Sequence, residues 1–152
     1  MLFDFNAADC AETAETVRRY YRLINMRAEI AEFTDYTRFV YDFRDKSKKG
    51  HAYDMVFIGV DNMMGVEVAR HIRELDGWCP LFLFSHTGEY AMEGFRLQAL
   101  HYLSKPITVE NVKNAVERIG SKTLVCFQDP SLCAGDLEQN EKTFHLASVP
   151  HK

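Results

Sequence analysis

A serine and a histidine stand side by side at positions 85 and 86, the residue types that a nucleophile and its general base would need. Neighbouring residues at a strand end point to opposite sides, so Ser85 and His86 are not expected to form such a pair. The four cysteines, Cys10, Cys79, Cys126 and Cys133, are far apart and make no CxxC. They read as reduced thiols rather than as a disulfide or metal framework. The six histidines make neither HxxxH nor HExxH, so the sequence offers no metal site of that kind. No glycine falls within residues 5–11. A phosphate-cradling turn after the first strand, which an enzyme on a nucleotide-binding sheet would carry, is therefore not expected.

The elements that would position any chemistry follow from hydrophobic period. A strand is expected over 2–5 and a helix over about 12–25, with Val17, Tyr20, Tyr21 and Ile24 at helical spacing. A second strand is expected over 27–33. Thr34 or Asp35 can cap the next helix, whose apolar side holds Phe39, Val40 and Phe43 and which ends in the basic, glycine-terminated run 45–50. The apolar runs 55–58 and 80–84 suit strands covered on both faces. Helices over 66–75 and 89–97, a strand over 99–103 and a last helix from Thr108 to Ile119 complete the pattern, with Gly120 as its stop. Five β-α units imply an α/β fold: a five-stranded parallel sheet, doubly wound, of the flavodoxin-like (βα)5 type. Function in such a sheet gathers at the C-terminal strand ends. Those ends fall near residues 6–9, 59–62, 85–86 and 104–105, which hold Asp9, Asp61, Ser85 and Lys105.

The chain has 152 residues, 47% hydrophobic and 26% charged, which excludes a disordered chain, a collagen-like repeat and a coiled coil. No apolar run approaches a membrane span, and residues 1–5 make no secretory signal. A cytoplasmic location and no membrane contact are expected. A net charge of −4 gives no electrostatic case for nucleic acid. Residues 1–120 are expected to be one domain. Residues 121–152 are expected to add only a strand over 121–127, either a cut-short output domain or an extra edge strand, and a loose tail.

Residues 85–106, SHTGEYAMEGFRLQALHYLSKP, fit without a gap the Ser/Thr, EYAxExF and ALxYLxKP pattern of response-regulator receivers, most closely those of the LytTR family. YDMVFI over 53–58 resembles that family's YDLIFL, and GVEVARHIR over 65–73 its GIEVARxIR helix. The resemblance implies a CheY-like receiver domain of two-component phosphorelay signalling. In that family an aspartate ending the third strand takes a phosphoryl group from a histidine kinase, Mg²⁺ bridges the phosphoryl oxygens, and acids after the first strand help to hold the ion.

Carried onto this chain, the resemblance places Ser85 at the hydroxyl that binds a phosphoryl oxygen and Lys105 at the neutralising lysine. Tyr102 stands at the aromatic that changes rotamer. The acceptor position itself is Gly59, which has no side chain to phosphorylate. Asp61, two residues on, lies on the same side of an extended strand but roughly 6–7 Å further along, where Lys105 can still reach it. The loop over 60–64 is shorter than the family's and lacks its proline. At the acidic pair, either Ala8 and Asp9 or Asn6 and Ala7 are expected, so at most Asp9 remains. Asp4 looks odd inside a central strand.

The expected function is that of a pseudo-receiver that works by phosphorylation-independent protein–protein interaction, not an enzyme. Asp61 as a shifted phosphoacceptor is the alternative. Asp9, Asp61, Ser85 and Lys105 form the expected degenerate pocket, with no cofactor and the Mg²⁺ site lost. The expected partner is a histidine kinase, another regulator or a second copy, met through the fourth helix, fifth strand and fifth helix; no nucleic acid is expected.

Overall fold

A computed structural model describes residues 1–50 and 53–128 as five β-α units. These are β1 (Leu2–Phe3), α1 (Ala7–Leu23), β2 (Glu32–Phe33), α2 (Tyr36–Lys48), β3 (Val56–Gly59), α3 (Met63–Leu75), β4 (Leu81–Ser85), α4 (Ala91–Arg96), β5 (His101–Ser104) and α5 (Val109–Gln128). Every strand pair is parallel, in the order β2-β1-β3-β4-β5. The five-stranded parallel sheet is the one the hydrophobic pattern predicts.

Strand alternation sorts the core into two layers. Phe3, Val56, Ile58, Leu81 and Leu83 face one side, against Phe39, Val40 and Phe43 of α2 and Val66, Ala69 and Ile72 of α3. Leu2, Phe57, Phe82, Phe84 and Leu103 face the other, against Ala14, Val17 and Tyr21 of α1 and Val112, Ala115 and Val116 of α5. Both sheet faces are covered, which is why β3 and β4 read as unbroken apolar runs. Full burial of each such side chain contributes about 1.5–3 kcal/mol, so the core rather than any surface pair holds the sheet.

Side-chain caps set where helices begin. Asn6 accepts from the Asp9 backbone N–H at 3.0 Å and starts α1. Asp35 does the same for α2 through Arg38 at 2.9 Å, and Asn62 for α3 through Gly65 at 3.0 Å. Before α5, Thr108 and Asn111 cap each other's backbone N–H reciprocally.

Four expectations need correction. Helix α1 begins at Ala7 rather than near residue 12, because Asn6 is its cap; β1 therefore ends at Phe3. The strand expected over 27–33 pairs only at Glu32–Phe33, since its partner β1 is itself two residues long. Helix α3 begins at Met63 rather than at residue 66, because Asn62 caps it. Gly120 does not stop α5, which continues to Gln128, so residues 121–127 are helical and not a strand. A glycine inside a helix costs only about 1 kcal/mol relative to alanine, and a short apolar run carries no period that separates strand from helix. The tail expected over 129–152 lies outside the described residues.

Candidate functional site

The chain runs from β1 to β2 on one side of the sheet and then to β3 on the other side of β1, so the strand order reverses between β1 and β3. The C-terminal ends at that point are where a doubly wound sheet places its site. Leu2 pairs with Phe57 and Phe3 with Ile58. Continued by one residue, this register sets Asp4 beside Gly59.

Asp4 is 4% exposed. One of its carboxylate oxygens accepts from the Asn6 backbone N–H at 2.9 Å, and the other from Lys105 Nζ at 2.6 Å. The same carboxylate fills the space beside Gly59: a Cβ built on that glycine would lie 2.6 Å from the Asp4 Cγ. Real Cβ atoms do not approach a carboxyl carbon that closely, so a side chain at 59 and Asp4 in this position exclude each other. Gly65 repeats the close approach one turn into α3, where a Cβ would meet the Gly59 carbonyl oxygen and lie 3.0 Å from the Val60 Cα. The short connection over 60–62 thus brings the start of α3 directly against the end of β3.

Lys105 follows β5, where the Lys105–Pro106 peptide is cis. Its side chain is 2% exposed and lies over the Phe84 ring, 5.0 Å from the centroid. Its ammonium donates to Asp4, to Asp9 at 2.8 Å and to Asp61. Burial works against the charge, but the three carboxylates outweigh it and hold the Lys105 amine well above its ordinary value. Burial likewise opposes ionisation of Asp9 and Asp61. Hydrogen bonds from Lys105, joined by His86 at Asp9 and by the His86 backbone and Ser85 at Asp61, outweigh it and hold both carboxyls below the usual range.

Asp61 is the meeting point of the strand ends. Its Oδ1 accepts from Ser85 Oγ at 2.8 Å and from the His86 backbone N–H at 2.6 Å, while its Oδ2 takes Lys105. Ser85, fully buried, also accepts from the Thr87 backbone N–H at 3.1 Å. Tyr102 packs its ring against the α2–α3 layer and donates from its hydroxyl to the Thr87 carbonyl at 3.0 Å. His86 Nε2 meets Asp9 Oδ2 at 3.0 Å, so Ser85 and His86 do not pair and no Ser–His nucleophile forms.

The structure therefore brings Asp9, Asp61, Ser85 and Lys105 into one cluster beside Gly59, with Tyr102 linked to it through Thr87. Sequence reasoning missed Asp4 and set the first-strand acids too late, at 6–9. Asp9 reaches the cluster from the first turn of α1, not from the strand. The missed signal was the Asn6 cap, which shortens the strand and leaves Asp4 at its end.

Among the described residues, Asp9, Asp61 and His86 bring one possible ligand atom each within 4.8 Å of one another. Here Oδ2 of Asp4, Asp9 and Asp61 all face the Lys105 ammonium, and the other oxygens of Asp4 and Asp61 accept from backbone N–H groups and Ser85. The acids thus share the protein's own lysine as a cationic partner.

This geometry sits on a fold shared with solved structures. A response regulator receiver domain protein from Clostridium thermocellum superposes with a TM-score of 0.59 at 16% identity, over 82% of this chain and 95% of that one. The fold is the receiver fold. A receiver domain of AraT, a response regulator from Geobacillus stearothermophilus, gives 0.59 at 20% identity over 84% and 95% of the two chains. A two-component response regulator of the LuxR family from an Aurantimonas species gives 0.56 at 26% identity over 78% and 81%. No family model matches the sequence, and no curated protein matches it. On the receiver fold, the cluster lies at the C-terminal ends of β1, β3, β4 and β5. No helix among the described residues is long and apolar enough to cross a membrane.

Proposed function

We propose that this chain is a pseudo-receiver: a signalling domain of the two-component type that acts through protein–protein interaction without being phosphorylated. One observation carries the reading. Gly59 offers no nucleophile, and the volume that a side chain there would need is filled by the buried Asp4 carboxylate. The loss of the acceptor is thus matched by a packed replacement, as expected of a site that has settled into another use. Engagement of the acid oxygens with Lys105 supports the further reading that the domain works without Mg²⁺. The affinity to LytTR-family receivers rests on the sequence motifs over 53–58, 65–73 and 85–106.

The interaction surface we assign is the α4–β5–α5 side, where a kinase, another regulator or a second copy would dock. Met92 is 66% and Phe95 80% exposed on α4, two large apolar side chains close together on one short helix. Exposed apolar groups that sit together mark contact surfaces more often than scattered ones do. Catalysis, nucleic-acid binding and membrane contact form no part of this reading.

The test is incubation with acetyl phosphate and Mg²⁺ followed by intact-mass measurement. The reading expects no mass gain. A gain of one phosphoryl group that disappears in Asp61→Ala would instead make Asp61 a shifted acceptor, in keeping with its position between Ser85 and Lys105.

A further inference from the structure

Three donors from two segments, the end of β4 and the end of β5, converge on a single carboxylate: the Ser85 hydroxyl at 2.8 Å, the His86 backbone N–H at 2.6 Å, and the Lys105 ammonium. A hydroxyl, a backbone N–H and an ammonium aimed at one point make an oxyanion pocket by elementary chemistry, because each donor is stronger toward a negative oxygen than toward a neutral one. The pocket is deep, since Ser85 is fully buried and the Lys105 side chain is 2% exposed. Its occupant is shallow: the Asp61 side chain is 31% exposed and stands at the mouth, just ahead of the α3 cap.

We propose that Asp61 is a built-in anion that occupies this pocket permanently and, in doing so, holds the segment after β4 in a docked position. The consequence runs outward along hydrogen bonds already described. Asp61 fixes Ser85 and the His86 backbone, Ser85 receives the Thr87 N–H, and the Thr87 carbonyl receives the Tyr102 hydroxyl. Tyr102 in turn sits on β5, beside the α4 residue Gly94, at the base of the α4–β5 side. A domain wired in this way presents one fixed arrangement of that side with no external ligand. Removal of the Asp61 carboxylate leaves the Ser85 hydroxyl and the His86 N–H without their acceptor and frees one of the three Lys105 contacts, so the vacated pocket should take a small oxyanion of the carboxylate or phosphate class.

This inference rests on the pseudo-receiver reading, and its test is separable from the test of that reading. The experiment compares amide hydrogen exchange in the full chain and in Asp61→Ala, with sodium acetate or inorganic phosphate added and sodium chloride as the ionic-strength control. In Asp61→Ala, exchange at the His86 amide, which loses its acceptor, should speed up by about tenfold or more, and exchange at the Thr87 amide, whose acceptor Ser85 is no longer held by Asp61, should speed up with it. The amides of β3 and β4 should be unchanged. Acetate or phosphate, but not chloride, should restore protection at positions 86 and 87. The unsubstituted chain should show no response at those amides to either anion. Unchanged exchange at His86 and Thr87 in Asp61→Ala would overturn the inference, as would loss of protection that neither anion restores. Should Asp61→Ala fail to fold, the unsubstituted chain still decides: perturbation of its His86 amide by phosphate beyond the chloride control would mean that the pocket is open and Asp61 is not its occupant. Uptake of phosphoryl by the unsubstituted chain would sink the underlying reading instead.

Discussion

The Asp4 carboxylate stands where a side chain on Gly59 would go, with a Cβ on that glycine falling 2.6 Å from the Asp4 Cγ. The two residues are neighbours across the β1–β3 pairing, and the register that joins Leu2 to Phe57 carries them together. They should therefore behave as a coupled pair. Gly59→Ala is expected to destabilise the fold by about 1–3 kcal/mol, as overpacking of a filled site does. Asp4→Ala in the same chain should recover part of that loss, leaving the double variant more stable than the sum of the single effects by about 1 kcal/mol. Urea unfolding of the four proteins measures this, and strict additivity would separate the two residues.

Lys105 is the one group that binds all three of Asp4, Asp9 and Asp61 among the described residues. Replacing it with methionine leaves the three carboxyl groups facing one another. We expect a loss on the order of 3 kcal/mol at neutral pH, the low end for breaking a buried pair because Asp61 opens to solvent. Denaturant midpoints of Lys105→Met against the parent chain give the number.

The pH dependence has a definite sign. Asp9 and Asp61 are held below their ordinary range. Each therefore stabilises the fold fully above its unfolded value of about 4, and this contribution disappears as the pH falls through the lower folded value. Lys105 is held above its ordinary range. Its contribution is complete below about 10.4 and is lost as the pH rises through the higher folded value. Stability from this cluster should be level between about pH 5 and 10 and fall on both sides. In Lys105→Met the carboxyls lose their ammonium, so its deficit against the parent should shrink below about pH 4. A urea series across pH reads both effects.

Arg73 binds the end of α3 to the turns that flank α4 and β4. Its guanidinium donates to the carbonyls of Leu97 at 2.8 Å, Cys79 at 3.0 Å and Gln98 at 3.3 Å. Gln98 adopts φ 54°, a left-handed turn that this contact holds beneath α4. Lysine cannot reproduce a fork of donors to three carbonyls. Arg73→Lys should cost about 2 kcal/mol and speed amide exchange at Ala99 and Leu100.

Cys10 is packed inside α1, and burial, with Glu32 and Asp4 nearby, pushes its thiol up to about 11. Native protein at pH 8 should leave Cys10 unmodified by iodoacetamide, while unfolding in urea should expose it to rapid alkylation. Peptide mass mapping distinguishes the two states.

How much of this was legible in the sequence depended on how strongly each feature is coupled to local pattern. Strands β3 and β4 were legible because burial on both faces writes itself as an apolar run. Ser85 and Lys105 were legible because both sit at ends of such strands and in a long motif. Asp4 was not, because an acid in a central strand argues against the strand until the Asn6 cap shows where it ends. Whether Lys105 reaches Asp61 depends on tertiary distance, which spacing alone bounds only loosely. The helix over 121–128 was misread because a glycine is a frequent stop but not an obligatory one.

The central claim is that the site does not accept a phosphoryl group, and intact-mass measurement tests it most directly. After incubation with acetyl phosphate and Mg²⁺, the account predicts an unchanged mass for the parent chain. It predicts the same for Gly59→Asp, whose new carboxyl must contend with Asp4 for one space. A stoichiometric gain of one phosphoryl group by the parent chain would contradict it.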